Sequence, residues 1–543
     1  MPRSLSLHLS CLLALGLAAS APAPVRAADE VAQVAGAQAA SLDPAQLSAF
    51  VERVRDRFEV PGIAVAVVKD GQVLFEGGWG VREMGKAGPV DAHTQFAIAS
   101  NTKAFTAAAL AVLVDEGRLS WDDRVTDHLP WFRMSDPYVT ADMKVRDLLT
   151  HRSGLGLGAG DLLFWPGSTY DTAEVVRRLA HVPLKTGFRE RYAYDNILYA
   201  AATLVIEQAS GQSFADFLQE RFLDPLGMAD TRANADALRP GDRAATGHAR
   251  ADFTTLRPTF DVTWHNASGA GGLYSSAHDM ARWVNAQLAG GRYTDADGRG
   301  QALFSPERQK EMWSLHSPMD ISEPPVPELA ATKPDFLGYG LGWFLSTYRD
   351  HKLVWHSGGW PGHVSRVTLV PELGLGVVVL TNQESGPAFN AITMHVLDAF
   401  IQPAERNDWV AAYAAGADKS RRRAEEAWKK RVQARNARSK PSLPLSGYAG
   451  TYRDRWYGDV HVTLENGRLG MRFGASPLLV GRLEHWQHDT FLAKWDERTL
   501  NGDAFVTFSL DADGKVREAR MEAASELTDF SFDFQDLVLE PVE

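Results

Sequence analysis

Phe96-Ala97-Ile98-Ala99-Ser100-Asn101-Thr102-Lys103-Ala104-Phe105 is followed by an Ala/Leu/Val run that stops at Gly117. The run predicts a helix of about sixteen residues that starts near Ser100 and is apolar enough to be buried. Three residues beyond Ser100, Lys103 falls on the same helical face, so its amine and the hydroxyl can meet. A free lysine with a pKa of ~10.4 is almost wholly protonated at neutral pH. Lowering that value by about 3 units takes roughly 4 kcal/mol of destabilisation of the charged form. Burial of the helix around Ala107 to Val114 supplies desolvation, and the positive helix N-terminus works in the same direction while favouring a serine alkoxide. The pair alone is weak evidence, because Ser-x-x-Lys occurs by chance and serine is a common N-cap.

Two further segments carry polar groups at comparable places. Tyr192-Ala193-Tyr194-Asp195-Asn196 puts a phenol and a carboxamide two apart ahead of a second apolar helix. His356-Ser357-Gly358-Gly359-Trp360-Pro361-Gly362 follows a β-rich run. Taken singly, these read as a capping turn and a histidine at a strand end. In the order Ser-x-x-Lys, Tyr-x-Asn, His-x-Gly they resemble the three motifs of the penicillin-recognising serine hydrolases, the β-lactamase-like family. Supporting segments are Leu148 to Leu155, Ala270 to Ser276, Gly340 to Trp343 and Gly376 to Asn382. The resemblance spans roughly Leu42 to Gln402.

That resemblance implies roles residue by residue. Ser100 would attack a carbonyl and become acylated, while Lys103 and Tyr194 would share the proton transfers; which of the two is the base stays open. Asn196 would hydrogen-bond the substrate amide, and His356 would sit near Tyr194 and a substrate carboxylate or carbonyl. Backbone N–H groups of Ser100 and Gly359 would form the oxyanion hole, with Gly358 and Gly359 allowing close approach of backbone to substrate. His356 stands where most β-lactamases carry lysine, so a permanent charge for a penicillin carboxylate is missing at neutral pH.

Working outward, Asp43 to Phe58 predicts a helix, and Ile63 to Val68 with Gln72 to Glu76 a hairpin around Asp70-Gly71. The middle of the chain reads as mainly helical. Strands return at Lys352 to Trp355, Val364 to Val370 and Gly376 to Thr381, so one antiparallel sheet should be closed by both ends of this region with helices between. The expected fold is therefore an α+β β-lactamase-like domain, with a sheet flanked by helices plus a helical region. After it, Asp418 to Lys440 holds ten Lys and Arg against three acids and predicts an exposed helix ending at Pro441. Beyond that, short alternating segments recur about every ten residues, with hairpin signals at Asn466-Gly467 and Asp513-Gly514, as in an all-β barrel or sandwich. From Leu445 on, this resembles the lipocalin-like domain that follows the catalytic domain in some D-aminopeptidase relatives. The chain of 543 residues thus divides into a signal peptide (1–27), a hydrolase domain (28–405), a basic helical linker (406–440) and a C-terminal β-barrel (441–543).

The N-terminal reading rests on Arg3, the short apolar run after Cys11 and small residues before Ala27. Export would remove the only cysteine, leaving neither a thiol nucleophile nor a disulfide. A net charge of −12 argues against nucleic acid as a partner, and no stretch reaches the length of a membrane span. The chemistry calls for no cofactor and no metal; His485 and His488 lack further ligands. The function expected is a secreted or periplasmic peptidase or amidase acting through an acyl-enzyme on small peptides or amides, with tolerance for D-residues. An esterase or β-lactamase on the same site is the alternative, and a sensor of peptidoglycan fragments or β-lactams the reading from another class. The linker and barrel are compatible with a monomer or with a gated oligomer.

Overall fold

The β-rich runs near Ile63 and near Gly376 meet in one sheet. A computed structural model describes residues 42–542; the expected export segment 1–27, with Cys11, lies outside them. Helix α1 (Pro44–Phe58) starts where the Asp43 carboxylate accepts from Ala45 N at 2.8 Å, and it buries Leu47, Val51 and Val54 along one stripe. Strands β1 (Gly62–Lys69) and β2 (Gln72–Gly80) form the expected hairpin, with Asp70 and Gly71 both at positive φ. They join β3 (Ser317–Pro318), β4 (Leu337–Tyr339), β5 (Phe344–Tyr348), β6 (His351–Trp360), β7 (His363–Val370) and β8 (Leu375–Thr381) in an eight-stranded sheet of order β2-β1-β8-β7-β6-β5-β4-β3. Every pairing in it is antiparallel.

Both faces of the sheet's centre are covered, which explains why β1 and β8 are apolar throughout rather than alternating. Ala64, Ala66 and Val68 pack with α2 (Thr102–Asp115), α3 (Ile197–Ser210) and α4 (Ala277–Leu288). Ile63, Val65 and Val67 pack with α1, α5 (Gly386–Ile401) and the start of α6 (Trp409–Ala434). The site lies on the side of the first of these faces, where the turn Ala99–Asn101 ahead of α2 meets β6.

Helix α6 is less solvated than its charge suggests. Its first turns bury Trp409, Val410, Ala412 and Ala414, and Trp409 Nε1 donates to buried Asp398 at 2.8 Å. Pro325 and Leu329, from the proline-rich stretch after Ser317, pack on Gly416. Farther along, Trp428 lies 5.5 Å from Trp486, Arg431 sits over Phe505 at 4.7 Å, and Arg435 sits over Trp486 at 4.7 Å. Guanidinium groups thus dock on aromatic faces while their charge stays near water.

The C-terminal strands are β9 (Gly450–Asp454), β10 (Gly458–Glu465), β11 (Arg468–Phe473), β12 (Val480–Gln487), β13 (Thr490–Trp495), β14 (Ala504–Leu510), β15 (Val516–Ala523) and β16 (Glu540–Pro541). They pair in the order β15-β14-β13-β12-β11-β10-β9-β16, and an Ala519–Leu539 bridge brings the two edges together. Buried aromatics fill the interior, among them Tyr448, Tyr457, Phe473, Trp495 and Phe534. His485 Nε2 lies 2.9 Å from the His488 carbonyl, and among the described residues no cluster of His, Cys, Asp or Glu is arranged to hold a metal ion. None of the described helices is long and apolar enough to cross a membrane.

Candidate active site

Ser100 lies on a single 3₁₀ turn, Ala99–Asn101, that leads into α2, so the helix proper begins two residues later than the serine. Ala99, immediately before it, has φ 47°, a left-handed conformation that costs an L-residue about 1–2 kcal/mol. Neighbours hold the turn in place: Ser365 Oγ donates to the Ile98 carbonyl at 2.6 Å, Asn101 Nδ2 donates to Ser365 Oγ at 2.8 Å, and Ile98 N donates to the Leu273 carbonyl at 2.9 Å. Strained backbone at a reacting side chain persists only when surrounded in this way.

Gly358 and Gly359 turn out to serve different purposes. A β-carbon at Gly358 would lie 2.2 Å from the Ile98 carbonyl oxygen and 2.9 Å from Ala99 Cβ, so this glycine lets β6 close on the serine turn. Beside Gly359 there is open space. Gly358→Ala is therefore expected to push the turn away and slow acylation of Ser100 by about 10²-fold, the scale of a misplacement of about 1 Å. Gly359→Ala should leave the thermal midpoint unchanged; unfolding curves and active-site labelling of both variants check this.

Lys103 is fully buried. Its Nζ donates to Ser100 Oγ at 3.1 Å, to Asn196 Oδ1 at 2.7 Å and to the Ala270 carbonyl at 2.7 Å. Desolvation pushes its pKa down to about 7, against the opposing pull of Asp161 and Asp195. The nitrogen also lies 4.9 Å from the centre of the Tyr194 ring. Burial raises the Tyr194 pKa far above that of a free phenol, against a smaller lowering by the neighbouring Ser100 hydroxyl. Asn196 spends Oδ1 on Lys103 and donates from Nδ2 to Asp161 Oδ2 at 2.8 Å, which leaves one amide N–H for a substrate. The structure thus brings Ser100, Lys103, Tyr194 and Asn196 together.

His356 is 1% exposed and its ring centre is 6.3 Å from that of Tyr194. Both nitrogens are engaged within the protein: Nδ1 lies 2.6 Å from the Ser357 carbonyl and Nε2 2.9 Å from the Tyr339 hydroxyl. Since a carbonyl only accepts, Nδ1 carries the proton and Nε2 accepts from the phenol. Desolvation, aided by the Lys103 charge, holds its pKa well below the usual imidazole value, so it is neutral at pH 7. Trp165, Trp264 and Trp360 are buried against one another, with ring centres 5.3 and 4.2 Å apart in sequence.

Several residues at the site carry no sequence signal of their own. Asp161 is fully buried under Asn196, and Asp195 accepts from Ser153 Oγ at 3.1 Å while its N–H donates to His151 Nδ1 at 3.1 Å. His151 is walled in by Tyr194, Tyr199 and Tyr339. Phe530, from the barrel, lies edge-on to Tyr194 at 6.0 Å.

Comparison with known proteins gives matching results for both parts of the chain. Residues 47–399 match the family model described as beta-lactamase, and residues 434–541 match a domain of unknown function, DUF3471. The chain is 29% identical over 425 residues to the unguisins hydrolase ungD' of Aspergillus campestris, covering 74% of each chain. It is 26% identical over 342 residues to protein flp of Staphylococcus aureus, 63% of each. The octameric penicillin-binding protein homologue from Pyrococcus abyssi superposes with a TM-score of 0.56 at 22% identity, over 92% of this chain and 100% of that one. The D-amino acid amidase from Ochrobactrum anthropi gives 0.51 at 25% identity, over 66% and 99%.

Proposed function

Because the chain belongs to the beta-lactamase family and is a serine hydrolase, we propose that it cleaves small peptides or amides, including those with D-residues, through an acyl-enzyme on Ser100. The observation that carries the reading is the lysine. Lys103 Nζ is 3.1 Å from Ser100 Oγ, and with a pKa near 7 it offers a neutral amine at working pH. Lys103 is then the base for acylation. Tyr194, whose phenol is protonated at working pH, gives its proton to the leaving amine and is reprotonated by the Lys103 ammonium, so the serine proton ends on the amine and both groups return to their starting states. The free N–H of Asn196 orients the substrate carbonyl, and the Ser100 and Gly359 N–H groups receive the developing oxyanion. Gly358 contributes by fixing the turn. His356 acts as a neutral dipole behind Tyr194 and offers a substrate carboxylate no charge, which disfavours penicillins.

The amidase likeness supports amides with D-residues as the substrate class. The domain scheme proposed with this function keeps 1–27 as an export signal, which would deliver the enzyme to the periplasm or beyond, and 28–405, 406–440 and 441–543 as hydrolase, linker and barrel. Turnover of D- and L-aminoacyl amides, short peptides, simple esters and a cephalosporin tests the substrate. The D-aminoacyl amides are expected to exceed their L-counterparts in kcat/KM by roughly tenfold or more. A cephalosporin turned over faster than any amide would make the enzyme a β-lactamase, and hydrolysis confined to esters would make it an esterase.

A further inference from the structure

The segment Asp529-Phe530-Ser531-Phe532-Asp533 lies near the end of the chain, between β15 and β16, yet it reaches the floor of the active site. Asp533 grips the turn Asp161–Leu163 with both oxygens: Gly160 N donates to Oδ2 at 2.7 Å and Leu162 N donates to Oδ1 at 3.1 Å. Two residues earlier, Ser531 Oγ donates to Asp161 Oδ2 at 2.8 Å. That same oxygen receives Asn196 Nδ2 at 2.8 Å, and Asn196 Oδ1 receives Lys103 Nζ at 2.7 Å. Ser531, Asp161, Asn196 and Lys103 form one hydrogen-bonded line, and all four are buried.

We propose that Ser531 and Asp533 are positioning residues by which the barrel sets the lysine of the hydrolase domain, acting through Asp161 and Asn196. The inference rests on the reading of Lys103 as the base. A carboxamide has two faces that differ only in which atom donates; Asp161 accepts and so decides that Asn196 turns its oxygen toward the lysine. Asp161 is itself held from the barrel side. Its other oxygen has no partner, and the two backbone N–H groups flanking it in sequence end on Asp533. The barrel therefore completes the site.

Charge follows the same line. Burial raises the Asp161 pKa, while the donations from Asn196 and Ser531 favour its charged form, and a charged Asp161 favours the ammonium of Lys103. With its pKa raised to about 8, Asp161 is already largely neutral where the lysine titrates near 7, so losing the Ser531 hydroxyl acts through the placement of Asn196 and Lys103 and leaves the titration of the lysine near 7. Asp195 favours the charged form of the lysine in the same direction as a charged Asp161; from the barrel side Asp529 opposes ionisation of Asp161, burial holds the Asp533 pKa well above the usual carboxylate range, and the neutral His356 adds no charge.

The test uses the full chain and the pH dependence of Ser100 labelling by a fluorophosphonate, with kcat and KM for an amide substrate. Ser531→Ala, which removes one oxygen, is expected to lower the plateau rate and kcat roughly tenfold, to leave KM within about twofold, and to keep the acidic limb near pH 7. Asp533→Asn, which puts an amide N–H against one of the two backbone donors, should lower the plateau in the same way. Circular dichroism and urea unfolding verify that both variants are folded. A folded Ser531→Ala enzyme with the wild-type plateau and kcat overturns the proposal, as does a loss of stability without any change in either. If the wild-type enzyme itself is not labelled at Ser100, the nucleophile assignment falls and this inference with it.

Discussion

Ser100→Ala is expected to abolish labelling by fluorophosphonate or penicillin probes and to lower hydrolysis of every substrate by about 10⁴-fold or more, the scale set by removing a serine nucleophile. The variant should fold normally. Lys103 keeps its hydrogen bonds to Asn196 and the Ala270 carbonyl, and the Ala99–Asn101 turn is held by Ser365 and Leu273, not by the serine hydroxyl. A thermal midpoint close to wild type together with silent activity assigns the loss to chemistry. Turnover retained in this variant would exclude the acyl-enzyme.

Lys103→Ala comes second, with an expected loss of about 10²-fold or more in acylation, the usual contribution of a positioned proton-transfer group. The sign of the pH dependence follows from the pKa near 7. Below that value the wild-type lysine is an ammonium and cannot accept a proton, so acylation should climb with pH through about 7 and then level off. In Lys103→Ala this limb should vanish. Tyr194→Phe should also lose about 10²-fold but keep the limb, since the phenol remains protonated throughout. If both variants acylate like wild type, the proton-transfer assignment is wrong. The same shift bears on stability: between about 7 and the unfolded value of ~10.4 the unfolded chain binds the extra proton, so this residue's contribution rises with pH across that window and is lost as pH falls through 7.

Much of this site can be read along the chain. Ser100 and Lys103 are three apart on an apolar helix, and such spacing alone makes the hydroxyl and amine neighbours. The Tyr-x-Asn and His-x-Gly segments become informative once their order is set beside the family. The strands Ile63 to Val68 and Gly376 to Thr381 announce themselves by short valine-rich runs bounded by turn residues, which makes the joining of the two ends in one sheet legible. Strands β9 and β12 carry a weaker signal, because β9 turns the polar Asp454 to its buried face and a bulge after His485 sets the buried Leu483 and Trp486 three apart on β12.

Other features have no local signature. Gly358 reads as a glycine for substrate approach, but its missing side chain is room for the Ile98 carbonyl. His356 reads as a titratable group near neutrality, and burial beside Lys103 makes it neutral. The basic helix reads as solvated, while Trp486 and Phe505 await its guanidinium groups. Asp161 and Ser531 stand 370 positions apart, and each in isolation is an ordinary polar residue. Local spacing suffices for groups that one helix or one strand presents together, because backbone geometry sets their distance. It cannot convey which buried carboxylate lies under Asn196, or that the barrel supports it, because those neighbours and the desolvation that shifts Lys103 arise only when distant segments pack and exclude water.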